Sequence, residues 1–297
     1  MQRIEYFTNT NRVRLFIFDL EFIGDVRNLD TCYIWEIAVF SVTRNAWFSK
    51  VVDPDKNMDV FPIPPIPEIP QLKRKFLNTE NAVTWDHVFT ELCKWVSQEL
   101  TPGLVPVFVS HNTFRADKPI LELECKRYKL RMPSNWYFFD SLHYSRDTMR
   151  NSGNYSLSGL HEKLFGETIK NAHRAKSDVS ACIRILKSLT GSSWVLQGPI
   201  YPSYCTSLRS IRWIGRKAEN LLSCNGIDST ESLFMFLQQN IHRDYVQSGC
   251  SEIDSIRNSL KSLLTTLPEE NIKNILEVIV QMRSEKPFSF TFMLVDA

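Results

Sequence analysis

The stretch FIFDLEFIGD, residues 16–25, runs apolar and then sets two acids, Asp19 and Glu21, two positions apart. An unpaired carboxylate in an apolar strand is costly. Side chains at i and i+2 of a strand share a face, so the two acids project together from the strand's C-terminal end. Adjacent carboxylates repel unless a cation lies between them, and hard divalent ions such as Mg²⁺ take oxygen ligands of this kind. Taken alone, the pair fits a strand end facing water as well as a metal site. A third acid, Asp117, stands in SHNTFRADKPIL, residues 110–121, in the first turn of the helix expected after a short strand. It also reads as a helix-start acid favoured by the helix dipole. In NAHRAKSDVSAC, residues 171–182, His173 precedes an amphipathic helix and Asp178 lies inside it, five residues on. Asp178 suits a fourth metal ligand. His173 suits a general base, because imidazole exchanges a proton near neutral pH. The plain alternatives are a loop histidine and an exposed or helix-start acid.

These residues need a scaffold, and the apolar pattern supplies one. Residues 13–22 read as a fully buried strand. The β-rich runs 33–42 and 46–54, separated by Thr43-Arg44-Asn45, read as a hairpin, giving three consecutive antiparallel strands. Helical spacing covers 84–100, with Trp85, Val88, Phe89, Leu92, Trp95 and Val96 on one side. A strand over 104–110, a helix over 116–130 with Pro119 in its first turn, and a strand over 136–140 follow. Helices over 156–166 and 175–189 close an α/β domain at residues 1–190. Residues 191–205 are rich in Gly, Ser and Pro and read as a linker to a mostly helical domain over 206–297, with a strand at its end. FPIPPIPEIP, residues 61–70, holds five prolines and reads as a stiff loop, with a PxxP ligand for a partner domain as the alternative.

Composition bounds the partners. The formal charge of +2 over 297 residues leaves a polyanion to be held by local patches or by metal ions. Seven scattered cysteines without a CxxC pair argue against a disulfide framework or zinc site and for a reducing compartment, cytoplasm or nucleus. The N-terminus lacks the apolar core of a signal peptide, and no run is long enough to span a membrane.

Together, FDLE, HNTFRADKPIL and HRAKSD resemble, in order and separation, the three exonuclease motifs of the DEDDh, or DnaQ-like, family. The resemblance covers roughly residues 12–190. The acid of the second motif stands one position later than in most of the family, with Ala116 where the aromatic precedes it and Pro119 two residues after it. That spacing is more similar to the TREX branch of DNA 3′ exonucleases. The resemblance implies an RNase H-like mixed sheet flanked by helices and a two-metal site for Mg²⁺ or Mn²⁺. In it Asp19 bridges both ions, Glu21 and Asp178 complete the nucleophile's ion, Asp117 holds the second, and His173 deprotonates water. It also implies that Phe22 and Ile23 pack against the terminal nucleotide, with Asn112 a further contact. For Phe22, core packing is an equal alternative.

In the C-terminal region, residues 208–234 resemble a helix-hairpin-helix element, with Gly215, Leu222, Gly226 and Ile227 at that motif's spacing. Backbone N–H groups at such a hairpin grip phosphate, and Arg212, Arg216 and Lys217 add charge. Trp213 stands where the motif has its first glycine, and Ala218 falls one place early. A small helical domain with glycine caps is the alternative.

The expected activity is metal-dependent 3′–5′ hydrolysis of DNA ends, releasing nucleoside 5′-monophosphates. An RNA-trimming exonuclease and a catalytically dead nucleic-acid-binding module are the alternatives. A homodimer follows from the TREX branch alone; no feature of this sequence requires one.

Overall fold

Alternation between buried faces builds the sheet. Along β1 (Val13–Ile23), Phe16 and Phe18 point to one side while Ile17, and after it Asp19 and Glu21, point to the other. β2 (Tyr33–Ser41) is buried at all nine residues, as a strand covered on both faces must be. β3 (Ala46–Val51) returns through a turn in which Asn45 adopts φ +50°. β1 and β2 pair antiparallel, as do β2 and β3. The helix α1 (Trp85–Ser97), the strand β4 (Val105–Ser110), the helix α2 (Asp117–Arg127) and the strand β5 (Tyr137–Asp140) come next. Then follow α3 (Ser141–Thr148), α4 (Leu157–Phe165), α5 (Ala175–Thr190) and a two-residue strand, β6 (Tyr201–Pro202). β4 lies parallel to β1 and to β5, and the six-stranded order is β3-β2-β1-β4-β5-β6. This is the mixed sheet flanked by helices that the resemblance implies.

The structure is a computed structural model and describes residues 12–25, 28–54, 77, 81–149, 152–191, 193–198, 200–248 and 250–285. The proline-rich stretch 61–70 and the strand expected at the C-terminal end lie outside the described residues. Among them are nine α-helices, and no helix is long and apolar enough to cross a membrane.

One sheet face is aromatic. Phe16 stacks on Phe108 at 5.3 Å, Phe108 meets Trp136 at 4.3 Å, and Phe89 of α1 reaches Trp136 at 5.9 Å. On the opposite face Ile17, Ala38, Val107 and Val109 pack against Val179, Cys182, Ile183 and Leu186 of α5. Asp19 and Glu21 therefore emerge on the face that α5 covers.

The chain divides into two compact units, residues 2–204 and 205–297. β6 lies within the stretch expected to be a linker: Tyr201 is buried, pairs with Phe138, and meets Phe114 edge-on at 5.0 Å. A two-residue strand containing proline leaves no periodic signal. The second unit comprises α6 (Arg216–Cys224), α7 (Thr230–Ser248), α8 (Glu252–Leu263) and α9 (Glu269–Glu285), packed on Leu222, Leu233, Leu237, Leu260 and Ile275. Where a helix-hairpin-helix places a helix ahead of its hairpin, this unit has a single 3₁₀ turn, Leu208–Ser210, capped by Ser207.

Candidate active site

β1 pairs with β4 as far as Ile17 opposite Val109 and runs on beyond it. There Asp117 bonds the strand: its Oδ1 takes the Leu20 N–H at 3.2 Å, and its Oδ2 takes the Ser110 hydroxyl at 2.9 Å. The chain between β4 and α2 is a tight turn. Thr113 Oγ1 donates to Phe139 O at 2.8 Å, and the Asn112 N–H donates to Asp140 Oδ1 at 3.1 Å. This turn absorbs the longer spacing of the second motif and still delivers Asp117 to the side of Asp19.

On the other flank, the register sets Glu21 opposite Glu36, with an irregularity directly after it. Such bulges re-aim side chains at sheet ends. The donor atoms of Glu21, His173 and Asp178 lie within 4.8 Å of one another. The Asp178 carboxylate also accepts the His173 N–H at 3.2 Å.

The electrostatics mark one crowded cluster. Burial first, and then the charges of Asp117, Glu21, Asp178 and Glu36, hold Asp19 well above the usual carboxylate range. Burial and the neighbouring acids, Asp178 foremost, push Glu21 to about 8, and Glu21 shares a hydrogen bond with Asp178. Burial raises Asp117 to about 7 against the hydrogen bonds from Ser110 and Leu20. Asp178 is raised by burial, partly offset by the His173 N–H. Oxygen-rich, self-repelling and half-enclosed, this set fits hard divalent cations, which would replace repulsion by attraction.

The remaining expected residues fall as follows. Phe22 is half-exposed beside Glu21, and Ile23 is buried opposite Tyr33. Asn112 sits at φ +73° with its N–H on Asp140. Arg212, Gly215, Arg216 and Lys217 belong to the second unit and are exposed there; Lys217 Nζ donates to Thr266 O at 2.9 Å. Trp213 adopts φ +74°, the left-handed backbone that the motif's glycine would supply, and is half exposed under the Arg212 guanidinium at 5.1 Å.

Sequence reasoning missed two buried acids. Asp140 caps α3 through the Leu142 N–H at 2.9 Å and is raised by burial to about 6. Its signal was an acid closing the apolar strand run 136–140. Glu36, in the middle of a wholly buried strand, binds Arg174 at the start of α5. Its signal was the only charge in an apolar run. His111 is structural: its ring nitrogens bond Ser141 Oγ at 3.0 Å and Tyr155 O at 2.8 Å, and burial lowers it to about 4, so it is neutral at physiological pH.

Comparison with known proteins bears on this geometry. The exonuclease family model RNase_T matches residues 90–186. Comparison with curated sequences returns no match. Among solved structures, the nuclease domain of 3′hExo, a DEDDh family member bound to rAMP, aligns with a TM-score of 0.51 at 16% identity, covering 65% of this chain and 98% of that one. A 3′-exonuclease that recognises the 3′ end of the histone mRNA stem-loop aligns with a TM-score of 0.50 at 16% identity, covering 64% and 68%. Cell-death related nuclease 4 (CRN-4) aligns at 20% identity with a TM-score of 0.47; the match covers 61% of this chain and spans 64% of that protein's length. The exonuclease family match contains Asp117, His173 and Asp178, and the sheet that carries Asp19 and Glu21 to them has the fold of the 3′hExo nuclease domain.

Proposed function

We propose that the chain hydrolyses phosphodiester bonds at DNA 3′ ends and releases nucleoside 5′-monophosphates. The observation that carries this is the convergence of Glu21, His173 and Asp178 donor atoms within 4.8 Å beside Asp19. Asp19, Glu21, Asp117 and Asp178 would hold two Mg²⁺ or Mn²⁺ ions. Such ions stabilise charge on both the attacking and the leaving oxygen of an in-line displacement. His173, exposed at the cleft edge with its main chain tied to Asp178, takes the proton of the attacking water. Phe22 offers a half-exposed ring for the terminal base, with Ile23 as the apolar floor beneath it and Asn112 at the neighbouring turn.

DNA is the first reading because the spacing of the second motif, with Pro119 after Asp117, is that of the DNA branch. RNA is the second reading: the 3′hExo domain is bound to rAMP, and the other aligned 3′-exonuclease recognises the histone mRNA stem-loop. The deciding experiment compares 5′-labelled single-stranded DNA and RNA of one sequence, with Mg²⁺ or EDTA. A ladder shortening from the 3′ end on DNA, abolished by EDTA, is expected. A ladder on RNA alone would select the second reading, and an inert chain would sink both.

The second unit supplies the grip on the rest of the strand, through Arg212, Gly215, Arg216 and Lys217 and through stacking on Trp213. Trp213→Asn tests this, because asparagine accepts the left-handed backbone. The thermal midpoint should hold within about 2 °C, since a half-exposed side chain adds little burial. Affinity for a 20-nucleotide strand, read by anisotropy, should fall about tenfold or more, the measured range for one lost stacking contact. Unchanged affinity would remove Trp213 from the interface. A homodimer, a PxxP partner for residues 61–70, and a cytoplasmic or nuclear setting belong to the same proposal; light scattering in solution reads the first.

A further inference from the structure

His173 adopts φ +65°. A histidine in the left-handed region is uncommon and persists where its surroundings hold it. The two residues after it show what does so. Glu36, only 2% exposed in the middle of β2, accepts three hydrogen bonds from the start of α5. Arg174 Nε reaches its Oε2 at 3.0 Å, Arg174 Nη2 reaches its Oε1 at 3.0 Å, and the Ala175 N–H reaches Oε2 at 3.1 Å. From the other side Asp178 takes the His173 N–H. The His173 backbone is thus held between two carboxylates while its side chain stays exposed. Arg174 occupies the N-cap position of α5 without a side-chain cap bond of its own, so Glu36 satisfies that helix end from the sheet.

We propose that Glu36 and Arg174 are a positioning pair: a clamp that fixes residues 173–175 to the strand opposite Glu21, so that the His173 ring stays within proton-transfer reach of the attacking water. The inference rests on the exonuclease reading and on His173 as its base. Docking of α5 does not need the clamp, because Val179, Cys182, Ile183 and Leu186 already bury the helix against the sheet. What the clamp adds is local. Its fork-to-fork geometry fixes orientation as well as distance, which a lysine at 174 cannot reproduce.

The test uses the full chain and four variants: Glu36→Gln, Arg174→Lys, His173→Ala, and His173→Ala combined with Glu36→Gln. Arg174→Lys keeps the Glu36 charge beside the acids and replaces a partly exposed side chain, so it guards against a folding or metal-affinity artefact. Both clamp variants are expected to lower kcat about 10–100-fold, as misplacement of a catalytic group by about 1 Å does, with KM within about threefold. On the His173→Ala background, Glu36→Gln should add less than about twofold, because the group it positions is gone. A second readout needs neither metal nor substrate. With the six histidines ¹³C-labelled at the imidazole Cε1, the His173 resonance should move to its unfolded-chain position in both clamp variants while the others hold. A loss that multiplies in full onto His173→Ala, or an unmoved His173 resonance beside a reduced kcat, overturns the clamp alone. His173→Ala as active as wild type overturns the base role and the clamp but not the exonuclease reading. A wild type inert on every 3′ end overturns all three.

Discussion

Asp19→Asn is expected to keep the fold and lose hydrolysis by at least about 10³-fold, the scale of removing a central electrostatic element of a phosphoryl-transfer site. The substitution conserves shape and a carbonyl acceptor and deletes only charge. Asp19 is the acid that feels all the others, Asp117 first and then Glu21, Asp178 and Glu36. Its charge therefore belongs to both flanks of the cluster. The same crowding gives the variant a second signature. In metal-free protein the amide relieves repulsion, so the thermal midpoint should stay level or rise, and the gain in midpoint on adding Mg²⁺ should shrink. Loss of activity with retained or raised stability is what distinguishes a cation site from a structural carboxylate. Single-turnover release of the 3′ nucleotide and calorimetric melting, each with and without Mg²⁺, measure both. Activity within about tenfold of wild type would show that the reaction does not depend on this charge.

The parts of this architecture that were legible in the sequence are those written in local pattern. The β2–β3 hairpin showed because Thr43-Arg44-Asn45 interrupts two β-rich runs, and α5 showed because its buried residues recur at helical spacing. α3 did not show, because Ser141–Thr148 buries only two serines; its start is fixed by Asp140 from the preceding strand. The parallel placement of β4 beside β1 is a long-range pairing that no spacing within either strand encodes; the resemblance implied a mixed sheet but not this neighbour.

The site follows the same division. Asp19 and Glu21 were conspicuous because they end an apolar strand two positions apart on one face, although a strand end facing water would show the same pair. Asp117, His173 and Asp178 were each ambiguous alone and became readable only as a set. Glu36 obeys the rule that exposed Asp19, a carboxylate inside an apolar strand, yet its partner Arg174 is 138 positions away. Without the fold, that separation hides the reason for its burial. Trp213 is the converse case: the residue departs from the motif, while its backbone at φ +74° lies in the left-handed region that favours glycine.

Metal-free protein should lose stability as pH rises from about 6.5 to 8.5, and Mg²⁺ should restore it. Glu21 at about 8 and Asp117 at about 7 bind protons more tightly folded than unfolded, and Asp19 and Asp178 are shifted the same way. Stability from groups of this sign is complete below the unfolded carboxylate values near about 4 and is lost as pH rises through the folded ones. His111, lowered to about 4, works in the opposite sense, but only up to the ordinary histidine value of about 6.5. Glu91, Glu167 and Glu269, lowered by their lysine or arginine partners, are already ionised in this range and add no slope. Glu124, raised to about 7 away from the cluster, does add slope, so the pH profile alone does not isolate the site. Metal rescue does. At a hundredfold excess over its Kd, a bound ion stabilises by about 2.7 kcal/mol, about 5–10 °C for a unit of this size, and it must displace protons from Glu21 and Asp117 to do so. The rescue should therefore be larger at pH 8 than at pH 6. Calorimetric titration in buffers of different ionisation enthalpy should show proton release that falls as pH rises. Rescue of equal size at both pH values, with no protons released, would mean that the cation binds elsewhere than among these acids.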